Sequence, residues 1–360
     1  MQSRKKNFRN ISRYIELNEK TISRNYIKDN HSNIVEMNVI GIKEIYKENN
    51  KNILAFDASF IKKSGKKTDG LGKFWDGKNS KVTKGLELSL LAMIDTEYNT
   101  AYPISALQTD SNCENRMDFY LKHIENNKEY FKEIKHIAFD GFHSKKEFVD
   151  GIIKQEKHII CKLRSDANLN YLYQGERTNK KGAPRKYYGK VDFKNHKLDY
   201  VITLLEGEKL YSKVVYSLSL KRNIKIVLLL TNKDKRHIFY SSDLELSALD
   251  IFEFYSSRFQ IEFLFRDSKT FTGLEDCQST NKNILDTHFN MSFFAVNMAK
   301  VQDRITKGEF HKEPFSMLNY QRLASNNQML KLFIHKFDID LNSKKMAEAY
   351  KDMLTIGLVA

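Results

Sequence analysis

A chain of 360 residues, 41% hydrophobic and 12% aromatic, can bury a sizeable core in two or three domains and is too apolar to be disordered. Its three cysteines, Cys113, Cys161 and Cys277, form no CxxC pair; this argues against a disulfide framework or zinc knuckle and for a reducing, cytoplasmic setting. The chain has no apolar run of bilayer length and no signal-peptide core behind MQSRKKNFRN, so no membrane association is expected. The net charge of +15 is unevenly spread: residues 1–28 and 61–84 each carry +6 and residues 162–197 carry +7. Basic windows of this kind suit a polyanion such as nucleic acid, though solvated lysine-rich loops would look the same.

In chain order, residues 1–50 read as a helical region. Ile11, Tyr14 and Ile15 recur at helical spacing, and Glu19–Tyr26 restarts a helix after Leu17-Asn18. A short helix pair with a basic second member fits a helix-turn-helix. Residues 51–163 change to strands. Ile53–Phe56 is an apolar run ending at Asp57, and Leu86–Asp95 with Tyr98–Leu107 reads as a meander. Ser111–Glu114 has capping-box spacing and opens a helix to about Glu133. Ile134–Phe139 is a strand ending at Asp140, Ser144–Glu147 is a second capping box for a helix through Lys154, and His158–Leu163 is a further strand. This order predicts an α/β fold, a mixed sheet with helices on its faces, with Asp57 and Asp140 at strand ends.

Residues 164–240 read as a β-rich insertion of alternating apolar and polar residues, punctuated by Gly175, Gly182, Gly189 and Gly207. In residues 241–280, a helix starts at Ser247 and runs to about Thr270. On one continuous helix Tyr255, Arg258, Glu262, Arg266 and Lys269 share an arc of roughly 80°, opposite Phe252, Phe259, Ile261, Phe263, Leu264 and Phe265. Taken alone, that stripe equally suits a surface ion-pair ladder, Arg258–Glu262–Arg266. Residues 281–360 read as helical.

Three ordered motifs lift the ambiguity. Tyr255, Arg258, Glu262 and Lys269, spaced Tyr-x2-Arg-x3-Glu-x6-Lys, resemble the signature of bacterial insertion-sequence transposases of the "insertion sequence four" group, a DDE class. Phe56-Asp57-Ala58-Ser59 resembles that family's first-Asp motif, and Phe139-Asp140-Gly141-Phe142-His143-Ser144-Lys145-Lys146 its second. The resemblance runs from about Asn52 to Gln278. It implies a ribonuclease-H-like core, a β-strand insertion before the glutamate, and catalytic Asp57, Asp140 and Glu262 holding two Mg²⁺ ions, with Mn²⁺ able to substitute. Hard carboxylate oxygens suit such ions, which also offset the repulsion of three clustered acids. It further implies cut-and-paste transposition on double-stranded DNA, through terminal inverted repeats and target, by a synaptic homodimer. Arg258 and Lys269 would contact phosphates, Tyr255 would orient the backbone, and Arg266 lies on that face outside the motif.

Arg185 and Lys186 in the insertion are further candidate DNA contacts. Neighbouring Tyr187 and Tyr188 read first as surface strand tyrosines and second as stacking residues. Trp75, the only tryptophan, reads as core in preference to a base-stacking residue. Two other readings stay open: a ribonuclease-H-like nuclease or resolvase without strand transfer, and a non-catalytic regulator, since the N-terminal region is short beside the family's end-binding domain. Zinc hydrolysis, ATP-driven action and a hydrolase nucleophile elbow lack their motifs.

Overall fold

The computed structural model describes residues 5–47, 51–176, 184–308, 314–340 and 342–359. Helices α1 (Phe8–Ser12), α2 (Glu19–Tyr26) and α3 (His31–Lys43) come first. Asn7 and Asn18 start the first two, their side chains accepting the N–H of Asn10 and Thr21 at 2.9 Å each. Strands β1 (Asn52–Ile61), β2 (Gly72–Asp76), β3 (Lys81–Asp95) and β4 (Thr100–Gln108) follow. Then come α4 (Arg116–Asn126), β5 (His136–Phe139), a 3₁₀ turn at Gly141–His143, α5 (Lys146–Lys154) and β6 (His158–Leu163). Six more strands succeed: β7 (Leu169–Leu172), β8 (Tyr187–Lys190), β9 (Asp199–Thr203), β10 (Lys209–Ser217), β11 (Arg222–Leu230) and β12 (Arg236–Ser241). The chain ends in α6 (Ala248–Ser257), α7 (Gln260–Asp267), a π-helical turn at Ser268–Thr272, α8 (Lys282–Lys307), α9 (Met317–Phe337) and α10 (Lys344–Leu354).

The chain divides into two compact units. One comprises Glu48–Phe60 and Glu87–Glu262. Its sheet begins β4-β3-β1-β5-β6, with β1, β5 and β6 mutually parallel and β3–β4 an antiparallel meander. This is the ribonuclease-H-like mixed sheet, with helices α4 and α5 supplied by the crossovers around β5. The β-rich insertion extends the same sheet. Beyond β6 the order is β12-β11-β10-β7-β8, with β9 also on β10, all antiparallel. β12 thereby covers the edge that β6 would otherwise present to solvent. Under the sheet, Phe56, Tyr120, Phe139 and Phe148 are buried, and Phe139 meets Phe148 edge-on at 4.9 Å.

The other unit comprises Met1–Lys47, Ile61–Leu86 and Phe263–Ala360. In it α3 buries Ile34, Val35, Val39 and Ile42 against α8, and a buried hydrogen bond joins Asn297 Nδ2 to Asn38 Oδ1 at 2.9 Å. β2 pairs with the first residues of β3 as a hairpin. No described helix is long and apolar enough to cross a membrane.

Several local expectations are corrected. β1 continues past Asp57 to Ile61, so Asp57 lies within a strand, because Ala58–Ile61 remain strand-compatible after β5 has stopped. The helix expected from Ser111 starts at Arg116, where the Asn115 side chain takes the Met117 N–H at 2.9 Å; Asp110 folds residues 111–113 into a turn instead. Ser144 does not cap α5, because its hydroxyl donates to Tyr240 Oη at 3.1 Å. Ser247 does cap α6, taking the Asp250 N–H at 3.0 Å. The single helix expected to Thr270 is broken at Arg258–Phe259, where Ile261 and Glu262 donate three residues back, to Arg258 and Phe259. Trp75, expected in the core, is 57% exposed, because the basic loop that carries it is a two-stranded ribbon with one open face.

Candidate active site

The parallel register of β1 with β5 sets Leu54 beside Ile137 and Ala55 beside Ala138. Continued two residues along, the same offset brings Asp57 of β1 opposite Asp140, the first residue past β5, and the two carboxyls interact through their charges. The rings of Phe56 and Phe139, the residues preceding the two acids, lie 6.0 Å apart. Asp57 is half-buried. Burial, and then the charge of Asp140, push its carboxyl up to about 6, against the pull of Arg258, the Ala58 N–H and His143.

Asp140 goes the other way. Burial works against its charge, yet the hydrogen bond and charge of His143, then Arg258 and the Phe142 N–H, hold it below the usual carboxylate range. Its Oδ1 accepts both His143 Nδ1 at 2.5 Å and the Phe142 N–H at 3.2 Å. Gly141–His143 form a 3₁₀ turn with Asp140 as N-cap, and this turn brings the imidazole back onto the carboxylate. His143 is itself buried among the rings of Phe148, Phe139 and Phe56, at 5.0, 5.3 and 5.9 Å, and its Nε2 has no hydrogen-bond partner. Beneath Asp140, the Cys161 thiol donates to the Asp140 carbonyl at 2.9 Å. In the sequence, the signal for this clamp is a histidine three residues after the aspartate of the second motif.

α6 brings the third group. Its Tyr255 ring stacks on Phe239 of β12 at 4.6 Å, and the Arg258 guanidinium lies 5.7 Å from the Tyr255 ring centre. Arg258 is mostly buried and donates through Nη2 to Glu262 Oε1 at 3.0 Å, while its Nε is buried with no acceptor. Burial opposes the Arg258 charge, but Asp57, Tyr255 and Glu262 together push its pKa up. One guanidinium thus serves as counter-ion to Asp57, Asp140 and Glu262. No group of three His, Cys, Asp or Glu side chains among the described residues stands close enough to hold a metal ion. The donor chemistry fits a hard divalent cation: Asp57 and Asp140 form an oxygen pair short of positive charge, and Glu262 is held by Arg258.

Of the other sequence candidates, Arg266 and Lys269 belong to the second unit. Arg266 does not join Glu262 in a ladder; it donates to Asp267 at 3.0 Å and lies 4.3 Å over the Phe263 ring. Lys269 lies in the π-helical turn and pairs with Glu275 at 3.7 Å. Arg185 is exposed, bonded to the carbonyls of Tyr187 and Tyr188, and lies 5.4 and 5.2 Å from the rings of Tyr173 and Tyr188. Lys186 is exposed beside it. Residues 177–183 of that basic window lie outside the described residues.

The family model described as "Transposase DDE domain" matches residues 48–298, most of the chain and all three acids. The chain belongs to this family. Comparison with curated protein sequences gives no match. Among solved structures, the piggyBac transposase synaptic complex with hairpin DNA is similar at 11% identity and a TM-score of 0.43, over 85% of this chain and 58% of that one. The Mos1 mariner paired end complex with Mn follows at 11% identity and 0.20, over 44% and 54%. This chain therefore spans under two thirds of the length of either.

Proposed function

We propose that this DDE-domain chain is a DNA transposase of the "insertion sequence four" group, cutting DNA at transposon ends and joining the freed ends to target DNA. The observation that carries the reading is the Asp57–Asp140 pair, set side by side by the β1–β5 register, with Arg258 as its counter-ion. Asp57 and Asp140 would hold a divalent cation between them, and Glu262 would complete the set on exchanging Arg258 for it. The chemistry supplied there by Mg²⁺ or Mn²⁺ is Lewis-acid polarisation of the scissile phosphate and of the attacking oxygen.

The protein's own groups have separable tasks. His143 and the Phe142 N–H fix Asp140 Oδ1, so Oδ2 would be the oxygen it offers to a cation. Arg258, released from Glu262, would take a phosphate oxygen, with the Tyr255 ring beside it limiting its movement. Lys269 adds phosphate contact, with Arg266, Arg185 and Lys186 as outlying DNA contacts. Double-stranded DNA is the partner, and joining two ends calls for a homodimer.

The test uses DNA carrying the sequences that bracket the gene. Asp57→Asn, Asp140→Asn and Glu262→Gln should each abolish Mg²⁺-dependent end cleavage while DNA binding stays within about threefold. Cleavage surviving in all three variants, or binding lost in parallel with cleavage, contradicts the assignment. Nicking by the native chain without joined product would instead select the nuclease reading.

A further inference from the structure

We propose that the outward face of the β2–β3 hairpin is a DNA-binding surface, on which Trp75 stacks against an unpaired base while Lys73 and Lys84 lie along the phosphates.

The hairpin register pairs Lys73 with Lys84 and Trp75 with Val82. Alternation along each strand puts these four side chains on one face, while Phe74 and Asp76 turn inward and are buried. All four outward residues are exposed, Trp75 at 57% and Val82 at 59%. A lone exposed aromatic would need no explanation. Here the largest apolar side chain sits with its apolar partner directly beside two lysines that face one another. Two lysines set opposite one another concentrate positive charge beside the Trp75–Val82 pair. A ligand with negative charge and flat apolar faces matches both features, and nucleic acid has both.

The surface is pre-shaped. Asp76 organises the turn through the Lys78 N–H at 3.1 Å and Asn79 Nδ2 at 2.6 Å. Lys78 and Lys81 add positive charge at its exposed tip. Within the same unit, the hairpin lies within electrostatic reach of Lys269, whose charge acts weakly on Asp76. An anionic membrane would accept the same charges, but one Trp–Val pair offers too little apolar area to anchor a protein. Unpaired bases are specified because the face of a base is covered within a duplex and open at a frayed or cleaved end.

Trp75 is the only tryptophan, so the native chain reports on this face without substitution. Fluorescence is excited where tyrosine does not absorb, while a single-stranded oligonucleotide, heparin or anionic phosphatidylserine vesicles are added. Binding is followed in parallel by anisotropy of labelled DNA. Strong quenching by the oligonucleotide, absent with heparin, is the expected result. Trp75→Ala should then weaken oligonucleotide binding about tenfold, with most restored by Trp75→Phe. Lys73→Gln with Lys84→Gln should reduce the salt slope of binding by about 1.4. Equal quenching by heparin, a blue shift with vesicles alone, or a protein-concentration-dependent change without DNA (a second copy on this face) would each overturn the proposal. The inference rests on the reading of the chain as DNA-acting. DNA binding with unchanged fluorescence defeats the hairpin alone; no binding at all defeats both.

Discussion

Asp57 and Asp140 are neighbours of the same chemical type whose environments drive them apart. Asp140 is clamped by His143 and a backbone N–H, and it keeps its charge easily; at Asp57 burial and the neighbouring Asp140 charge outweigh Arg258 and the Ala58 N–H, and it holds its proton up to about 6. The clamp can be tested at His143. Phenylalanine fills the same ring-lined space, so His143→Phe should melt close to the native chain. It should bind Mn²⁺ about 10- to 100-fold more weakly in calorimetric titration, since carboxylate orientation is lost. Undiminished Mn²⁺ affinity would remove the positioning role. In the second unit, Lys300 is buried beside Asp267 and Arg266, and burial brings its pKa down to about 8. The unfolded chain keeps that proton to about 10.5, so between these values it binds more protons than the folded chain and stability rises with pH. Lys300→Met should therefore gain of order 1–3 kcal/mol in urea unfolding at about pH 7, with the gain gone above about pH 10.5. A gain that persists at high pH would contradict the lowered value.

Among elements, boundaries written as side-chain-to-backbone competition were the hardest to read. Ser111, Ser144 and Ser247 all have capping sequences, yet only Ser247 caps. Asp110 captured the turn at 111–113, and Tyr240, distant in sequence, captured Ser144. Asn115→Ala should accordingly cost about 1 kcal/mol in denaturant unfolding and Ser111→Ala less than ~0.5; the reverse ranking would restore the earlier helix start. The break at Arg258–Phe259 has the same character. Periodicity from Ser247 to Thr270 is continuous in sequence, but tightened i→i−3 bonds split it. The Arg258–Glu262 pair bridges the break, whereas Arg266, on α7 with Glu262, is taken by Asp267, so the alternative three-residue ladder shrinks to the Arg258–Glu262 pair. The β2–β3 hairpin is not legible in the sequence, because Gly72–Asp76 is short and lies between lysine-rich loops, where charge hides the alternation.

Across the whole molecule, charge and motif order carried the functional reading. The N-terminal basic helices are tied to the body of their unit by Lys6 N–H to Asp276 at 2.6 Å and Asn283 Nδ2 to the Ile27 carbonyl at 3.1 Å. Deleting residues 1–28 would therefore disturb packing as well as recognition. Substitution is cleaner: Lys20 and Arg24 are exposed one turn apart on α2. If this region binds transposon ends, Lys20→Gln with Arg24→Gln should weaken end binding and lower its salt slope by about 2, with thermal stability retained. An unchanged slope would move end recognition elsewhere. By itself, the sequence determined the strand–helix order and the α/β class, because hydrophobic periodicity is a local property of the chain; the three acids stand out through motifs that resemble those of a family. Only tertiary structure decided that Arg258 neutralises the acids, that His143 grips Asp140, that the insertion continues the central sheet and that Trp75 faces outward. Each of these depends on which residue wins a shared partner or an open strand edge, and that competition is settled by packing around it, by the rings that bury His143 as much as by strands distant in sequence.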